Sequence, residues 1–329
     1  MTLNSVATSD PSPLSLIAND MQAVDRLIAQ RLESSVPLVG DVATYLITAG
    51  GKRLRPALLL MVAGAIGYTH EDRHTLAAVV EFIHTATLLH DDVVDESSMR
   101  RGRPTANASF GNAASVLVGD FLYSRSFQMM VACGNMRVLD ILADATNVIA
   151  EGEVLQLMNM RDPHLSQDDY LRVIRSKTSK LFEASARLPA VLMGSNLELE
   201  SACAEYGQAI GTAFQVVDDV LDYEGDHTRL GKNLGDDLRE GKTTLPLILA
   251  MQRGTASQKA LIEQAIEQGQ VEALPSILSI LNDTGAIALA KEVAHEQARL
   301  AIMAANRLPQ GPYQAALKTL AEQLLNRQA

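Results

Sequence analysis

Apolar residues recur at three- and four-residue steps along most of this chain, the period that turns one face of a helix toward a core. The spacing predicts helices over about 14–32, 55–67, 74–97, 112–133, 136–160, 168–192, 199–223 and 244–252, then shorter ones over 256–268, 272–282, 285–306 and 312–327. Strand-like alternation is scarce. The longest of these segments are rich in Ala, Leu and Met and poor in charge, so several are expected to be covered on most sides, as at the centre of a large bundle. No short period repeats, which argues against a solenoid. Residues 1–13 are rich in Ser, Thr and Pro and read as a loose tail, and no Pro/Gly/Ser-rich linker divides the remainder of the chain. An all-α fold with a single helical domain over 14–329 is the expectation.

Composition narrows the class. At 47% hydrophobic residues the chain is that of an ordinary globular protein, and a formal net charge of -11 argues against nucleic acid, whose binders carry a basic footprint. Cys133 and Cys203 are the only cysteines, too few for a disulfide framework or a metal-ligand pattern, so a reducing compartment is expected. The N-terminus lacks the basic flank and apolar run of a signal peptide. The longest apolar run, Ala57 to Tyr68, falls short of the roughly 20 residues that span a bilayer. A cytoplasmic location follows by elimination.

Two acidic clusters of one form then stand out, Asp91-Asp92-Val93-Val94-Asp95 and Asp218-Asp219-Val220-Leu221-Asp222, each ending a long apolar helix. At i, i+4 spacing, Asp91 and Asp95, like Asp218 and Asp222, lie one turn apart on one face. Like charges there cost roughly 0.2–0.5 kcal/mol on an exposed helix. The penalty grows on a packed one, so the arrangement asks for a cation. Mg2+ suits it: a hard ion that takes oxygen ligands and is commonly shared between one or two carboxylates and substrate phosphates. Phosphate-gripping groups are also present, in Gly50-Gly51-Lys52-Arg53-Leu54-Arg55-Pro56 and in Arg100-Arg101-Gly102-Arg103-Pro104 directly after the first cluster. A diphosphate bound through magnesium, between clusters facing each other across a cavity mouth, is the chemistry these residues predict.

Other readings carry less. A single Asp-rich helix end is usually solvated surface; two of identical form with arginines beside one are not. Glu81-Phe82-Ile83-His84 and Glu71-Asp72-Arg73-His74 both spell Glu-x-x-His, but fall in one short stretch rather than on two facing helices, as a di-iron bundle needs. Gly241-Lys242-Thr243 has Asp236 where a P-loop needs its first glycine. His90 reads as structural, and Met129, Met130, Met158 and Met160 line a tunnel or simply fill the core.

With GGKRLRP upstream of DDVVDESSMRRGRPT and a second DDxxD in GTAFQVVDDVLDY, the chain resembles the trans-type isoprenyl diphosphate synthases over nearly its whole length. The stretches GNAASVLVGDFLYSRSFQMM and IAEGEVLQLMN resemble most the bacterial members that make C40 chains. The resemblance implies an isoprenoid-synthase bundle around a central apolar cavity and three Mg2+ held by Asp91, Asp92 and Asp95 on one side and Asp218, Asp219 and Asp222 on the other. It also implies condensation of isopentenyl diphosphate with an allylic diphosphate such as farnesyl diphosphate, the departing diphosphate taking up the proton. By the same matching, Lys52, Arg55, His84 and Arg101 are the expected isopentenyl diphosphate contacts. Arg100, Lys177, Thr178, Gln215 and Lys232 are the expected allylic-side contacts, with Lys177 also counted among the catalytic groups and Lys242 helping from the loop after the second cluster. In this family bulky aromatics four and five positions before the first cluster halt growth early. Here Thr87 and Ala86 stand there, so a long product, C40, is expected, with Phe127, Met129 and Met130 as candidate tunnel floor. A homodimer and a membrane-partitioning product that serves quinone synthesis are further implications.

Two other functions fit the residues less well. A terpene cyclase would carry an Asn/Ser/Glu second metal site and more aromatic lining than 4% with no Trp supplies. A non-catalytic subunit of a two-part synthase would show eroded motifs, whereas those here are intact.

Overall fold

Helix boundaries follow local punctuation in the sequence. In the computed structural model, which describes residues 12–48, 51, 53–100, 102–224 and 234–325, a 3-10 turn (Pro13–Ile17) leads into α1 (Ala18–Arg31), α2 (Pro37–Thr48), α3 (Leu54–Ile66) and α4 (Asp72–Val94). Lys52, Arg101, Lys232 and most of the expected N-terminal tail lie outside the described residues. A hairpin of β1 (Met99–Arg100) and β2 (Arg103–Pro104) pairs Arg100 with Arg103 and is the one sheet among the described residues. After it come α5 (Ala106–Phe110), α6 (Asn112–Ala132), α7 (Met136–Met158) and α8 (Gln167–Ile174). A π-helical turn (Arg175–Ser179) joins α8 to α9 (Lys180–Met193). The order ends with α10 (Leu197–Glu224), α11 (Asp236–Glu240), α12 (Leu245–Arg253), α13 (Ala256–Gln268), α14 (Leu274–Thr284), α15 (Ala286–Ala305) and α16 (Pro312–Leu325).

Caps explain several of these starts. Asn135 accepts from the backbone N–H groups of Arg137 and Val138 to open α7, Ser166 accepts from Asp169 N to open α8, and Thr255 forms a capping box with Gln258 to open α13. Gly67 ends α3 in the left-handed conformation that a Cβ disfavours.

The buried side chains form two clusters. One gathers α1 to α7, α9, α16 and the second half of α15 around residues such as Leu59, Val79, Leu122 and Leu142; the other gathers α8, α11 to α14 and the first half of α15 around Ile248, Ile262, Ile277 and Ala290. Helix α10 belongs to both: Tyr206, Ile210 and Ala213 lie in the first, and Val216, Val220 and Tyr223 in the second. Its acidic cluster therefore stands where the two meet. Glycine sets how closely its neighbours approach. A Cβ on Gly207 would lie 2.4 Å from the Phe182 carbonyl oxygen, and one on Gly211 would lie 2.7 Å from Ser179 Cα, so α9 and the π turn lie flush against α10. Nearby, buried Glu200 is held by Arg137 and Arg187, at 2.8 and 2.7 Å.

Among the described residues no single helix is long and apolar enough to cross a membrane; one bent pair, Val271–Thr284 with Ala286–Ala305, passes by length and composition. Ile277, Leu281, Ala290 and Ala294 of that pair are buried in the second core cluster.

Candidate active site

The first acidic cluster closes α4. The Asp95 N–H donates to the Asp91 carbonyl at 2.7 Å, and Glu96, at φ 51°, turns the chain away. Asp92 points inward and is fully buried. Its Oδ1 accepts from Arg100 Nε and Nη2 at 2.9 and 2.8 Å, so the hairpin after the helix folds back to pin the carboxylate. Its Oδ2 is buried with no hydrogen-bond partner. Asn107 Nδ2 donates to the Asp92 carbonyl at 3.0 Å and ties α5 to the same turn. Asp91 and Asp95 instead face a cavity of about 740 Å3 between α4, α6 and α7.

The second cluster is locked from the opposite side. Asp219 is buried; its Oδ2 accepts from Tyr170 Oη at 2.6 Å and its Oδ1 from Gln215 Nε2 at 2.7 Å. Asp222 accepts from the Asp237 N–H at 3.3 Å, which brings α11 alongside.

Side chains connect the two clusters. Lys177 Nζ, on the π turn, lies 3.6 Å from Asp91 Oδ2. Its neighbour Thr178 donates through Oγ1 to Gln215 Oε1 at 2.9 Å, and Gln215 in turn holds Asp219. From beyond the second cluster, Lys242 Nζ reaches Asp95 Oδ2 at 3.1 Å. Lys177, Thr178, Gln215, Asp219, Asp237 and Lys242 line a smaller cavity of about 110 Å3, which shares Gln156 and Met160 with the larger one. π-helical turns are rare and gather at functional sites. Here the turn carries Lys177 and Thr178 toward opposite clusters.

Burial and like-charge crowding set the electrostatics of the site. Burial, opposed by Lys177 and reinforced by Asp95, raises the Asp91 carboxyl above its ordinary value. Burial, reinforced by Asp237, raises Asp219 well above it, even though Tyr170 and Gln215 favour the ionised form. Burial pushes Glu153 up to about 7 against the pull of Lys177. Burial also works against the Lys242 ammonium, but Glu240, Asp237 and Asp95 outweigh it and hold that charge firmly.

Arg55 and His84, the described residues expected on the isopentenyl side, line neither of these cavities. Arg55 lies over the Phe182 ring at 4.4 Å, with Nε buried and lacking a hydrogen-bond partner. Burial lowers its pKa to about 10, opposed by Glu81. His84 is half-buried two turns before Asp91, and its carbonyl accepts from Thr87 Oγ1 at 2.8 Å. Of the chain-length candidates, Thr87 lines the larger cavity and Ala86 is fully buried beside it. On α6 the residues at the cavity wall are Asp120 and Tyr123; the Phe127 ring packs against Tyr123 at 5.8 Å, while Met129 and Met130 lie in the core.

Residues that the motifs did not single out complete the constellation: Tyr170, Glu153, Asp237 and Glu240. Glu153 had a visible signal beside Glu151 on an otherwise apolar stretch of α7, and Asp237 belongs to a further Asp-Asp pair.

The donor chemistry fits a hard divalent cation. All six cluster side chains offer carboxylate oxygens, Asp92 keeps one of them buried and unpartnered, and Asp219 is crowded by Asp237. Among the described residues no three carboxylate, imidazole or thiol groups converge as a closed cage.

Residues 36–281 match the polyprenyl synthetase family. The chain is 52% identical to the octaprenyl diphosphate synthase of Escherichia coli (strain K12) over 307 residues, 93% of this chain and 95% of that one. It is 45% identical to a polyprenyl synthase from Caulobacter crescentus CB15 whose crystal structure holds calcium and isoprenyl diphosphate, with a TM-score of 0.93 over 96% of this chain and 97% of that one. A decaprenyl diphosphate synthase structure from Rhodobacter capsulatus is likewise 45% identical, with a TM-score of 0.91 over 96% and 98% of the two chains.

Proposed function

Because the chain belongs to the polyprenyl synthetase family, we propose that it adds isopentenyl diphosphate units head-to-tail to an allylic diphosphate, with farnesyl diphosphate as primer and C40 octaprenyl diphosphate as product. The observation that carries this reading is the run of contacts from Asp91 through Lys177, Thr178 and Gln215 to Asp219, at the rim of a 740 Å3 cavity with apolar wall residues such as Ile149, Val154 and Leu157.

Lys177 and Lys242, with Arg100 behind Asp92, are positioned to hold the allylic diphosphate between the clusters, joined by Lys232 from outside the described residues. Arg55 and His84, with Lys52 and Arg101 likewise outside, take isopentenyl diphosphate. Asp91, Asp92, Asp95, Asp218, Asp219 and Asp222 would hold Mg2+, three ions per site; bound there, it neutralises diphosphate charge and so favours its departure. The allylic C–O bond breaks, the isopentenyl double bond supplies the electron pair for the new C–C bond, and the proton lost from the product passes to the departing diphosphate. Protein groups act by orienting two anions and stabilising the leaving charge. The apolar side of the cavity, at Ile149, Val154 and Leu157, takes the lengthening hydrocarbon.

Exposed apolar side chains on α6 and α7, among them Leu117, Val131, Met136, Leu157 and Met158, support a homodimer formed through these helices. Two free thiols, Cys133 and Cys203, support a cytoplasmic setting. The test is product analysis after incubation of the purified chain with Mg2+, labelled isopentenyl diphosphate and farnesyl diphosphate. A C40 alcohol after dephosphorylation is expected. Products from farnesyl diphosphate alone would point to cyclisation, and inactivity of the isolated chain to a dependent subunit.

A further inference from the structure

Lys177 stands between two carboxylates, and the nearer one belongs to neither acidic cluster. Glu153 Oε2 on α7 is 2.6 Å from Lys177 Nζ, whereas Asp91 Oδ2 is 3.6 Å away. The shorter contact is a charge-assisted hydrogen bond; the longer is only an ionic neighbour. Glu153 and Lys177 are 28% and 19% exposed at their side chains, so water screens the pair weakly. The carboxylate lines the larger cavity and the ammonium the smaller one, which makes the pair a partition between the two.

The backbone is arranged for this meeting. The residue before Glu153 is Gly152, and a Cβ there would fall 2.8 Å from Lys177 N and 2.8 Å from Ser176 Cβ. Helix α7 therefore touches the π turn at the peptide that carries Lys177, which leaves the next side chain, Glu153, to reach the ammonium. Asp91 and Asp95 also bear on Glu153, and of these carboxylates Glu153 and Asp91 are the two that lie against the lysine.

We infer that Glu153 is a positioning residue: from α7 it fixes the Lys177 ammonium at the rim between the acidic clusters, where it meets the allylic diphosphate, and keeps it from settling on Asp91. Without Glu153, Asp91 becomes the carboxylate nearest Lys177. The lysine then neutralises a carboxylate whose charge is needed for a divalent cation, and leaves the place where a diphosphate oxygen would find it. One substitution thus weakens both partners of a magnesium diphosphate. The inference rests on the proposed prenyl transfer for the identity of the anion, but its geometry concerns only this chain.

A double-mutant cycle tests it, read by calorimetric binding of inorganic pyrophosphate in the presence of Mg2+ and by steady-state kinetics. Glu153→Ala is expected to weaken pyrophosphate binding at least tenfold and to raise the KM for the allylic substrate, with the KM for isopentenyl diphosphate within twofold of wild type. In a Lys177→Ala background the same change is expected to be silent within twofold, because Glu153 acts through that lysine. Glu153→Gln, which keeps an acceptor oxygen but no charge, is expected to fall between and serves as the working variant if Glu153→Ala loses its helical circular dichroism. Wild-type binding by both variants, or a full additional loss on top of Lys177→Ala, overturns the inference. A wild-type chain that binds magnesium pyrophosphate yet extends no primer overturns the functional reading instead, and the cycle still reports on Glu153.

Discussion

Removing one oxygen, in Tyr170→Phe, probes the second acidic cluster without touching any of its carboxylates. Tyr170 is buried and donates to Asp219 Oδ2 at 2.6 Å, while Gln215 serves the other oxygen. Hydrogen bonds to a charged group are worth about 1.5–3 kcal/mol, and the phenylalanine ring fills the same space, so packing is nearly preserved. Asp219 is already raised by burial and by Asp237. Losing the hydroxyl removes one of the two groups that favour the ionised form a cation needs, and outer-shell changes of this kind typically cost about 10- to 100-fold in metal affinity or activity. The expected outcome is a Mg2+ concentration for half-maximal activity at least tenfold above wild type, recovered in part at higher pH, with helical circular dichroism unchanged. The assay is incorporation of labelled isopentenyl diphosphate across a Mg2+ titration. A superimposable Mg2+ curve would refute the claim that this hydrogen bond prepares Asp219 for a cation.

Ala86→Tyr places a large side chain at a fully buried site beside the cavity wall, so products should shorten to C15 or C20 at a stability cost of about 1–3 kcal/mol; unchanged chain length on chromatography would remove Ala86 from the tunnel. Glu200→Ala leaves Arg137 and Arg187 without their shared carboxylate and should cost about 3 kcal/mol in urea unfolding at pH 7, the low end for a broken buried pair because Arg137 is more than half exposed. Arg187 and Arg137 outweigh burial and hold the Glu200 carboxyl below its ordinary 4.5, so this advantage is present above that pH and fades as pH falls through the lowered value; a gap that widens in acid would contradict the assignment. Glu153 has the opposite sign. With its pKa raised to about 7, its protonated form favours the fold at low pH, and in chelator Glu153→Gln should gain stability relative to wild type as pH rises from 4.5 to 7. Burial pushes the Cys203 thiol up to about 12 and the Cys133 thiol up to about 11, so alkylation at pH 8 should be slow until the protein unfolds.

What the sequence disclosed was what is local. The 3.6-residue period located α1, α3, α4, α6, α7, α9, α10 and α12 to α16 because each buries a continuous stripe. Both acidic clusters were visible because i, i+4 carboxylates on an apolar helix are self-evidently unbalanced. Helix α2 was missed: its stripe, Val39, Val42, Ala43 and Leu46, spans little more than two turns and is interrupted by Gly40. The segment read as one helix over 168–192 is broken by the π turn, which leaves the apolar period on either side intact. Tyr170 and Glu153 escaped notice because their partners lie 49 positions away in one case and on a different helix in the other. Tyr123, rather than Phe127, reaches the cavity because helix rotation is set by packing against α4, which no periodicity resolves to one residue.

The π turn has a consequence for how this site tolerates length change. An α-helix wound one residue loose at a single place can be tightened by deleting that residue, and here the deletion would join α8 to α9 without the break between them. Because a π turn spends one residue more than an α turn on the same rotation, the helices on either side would keep their relative facing, and the change would fall on the turn itself, where Lys177 and Thr178 sit. Circular dichroism of a Ser176-deleted chain should therefore look native while pyrophosphate no longer binds. The one surplus residue, absorbed without disturbing either neighbouring helix, is what sets these two side chains facing opposite ways.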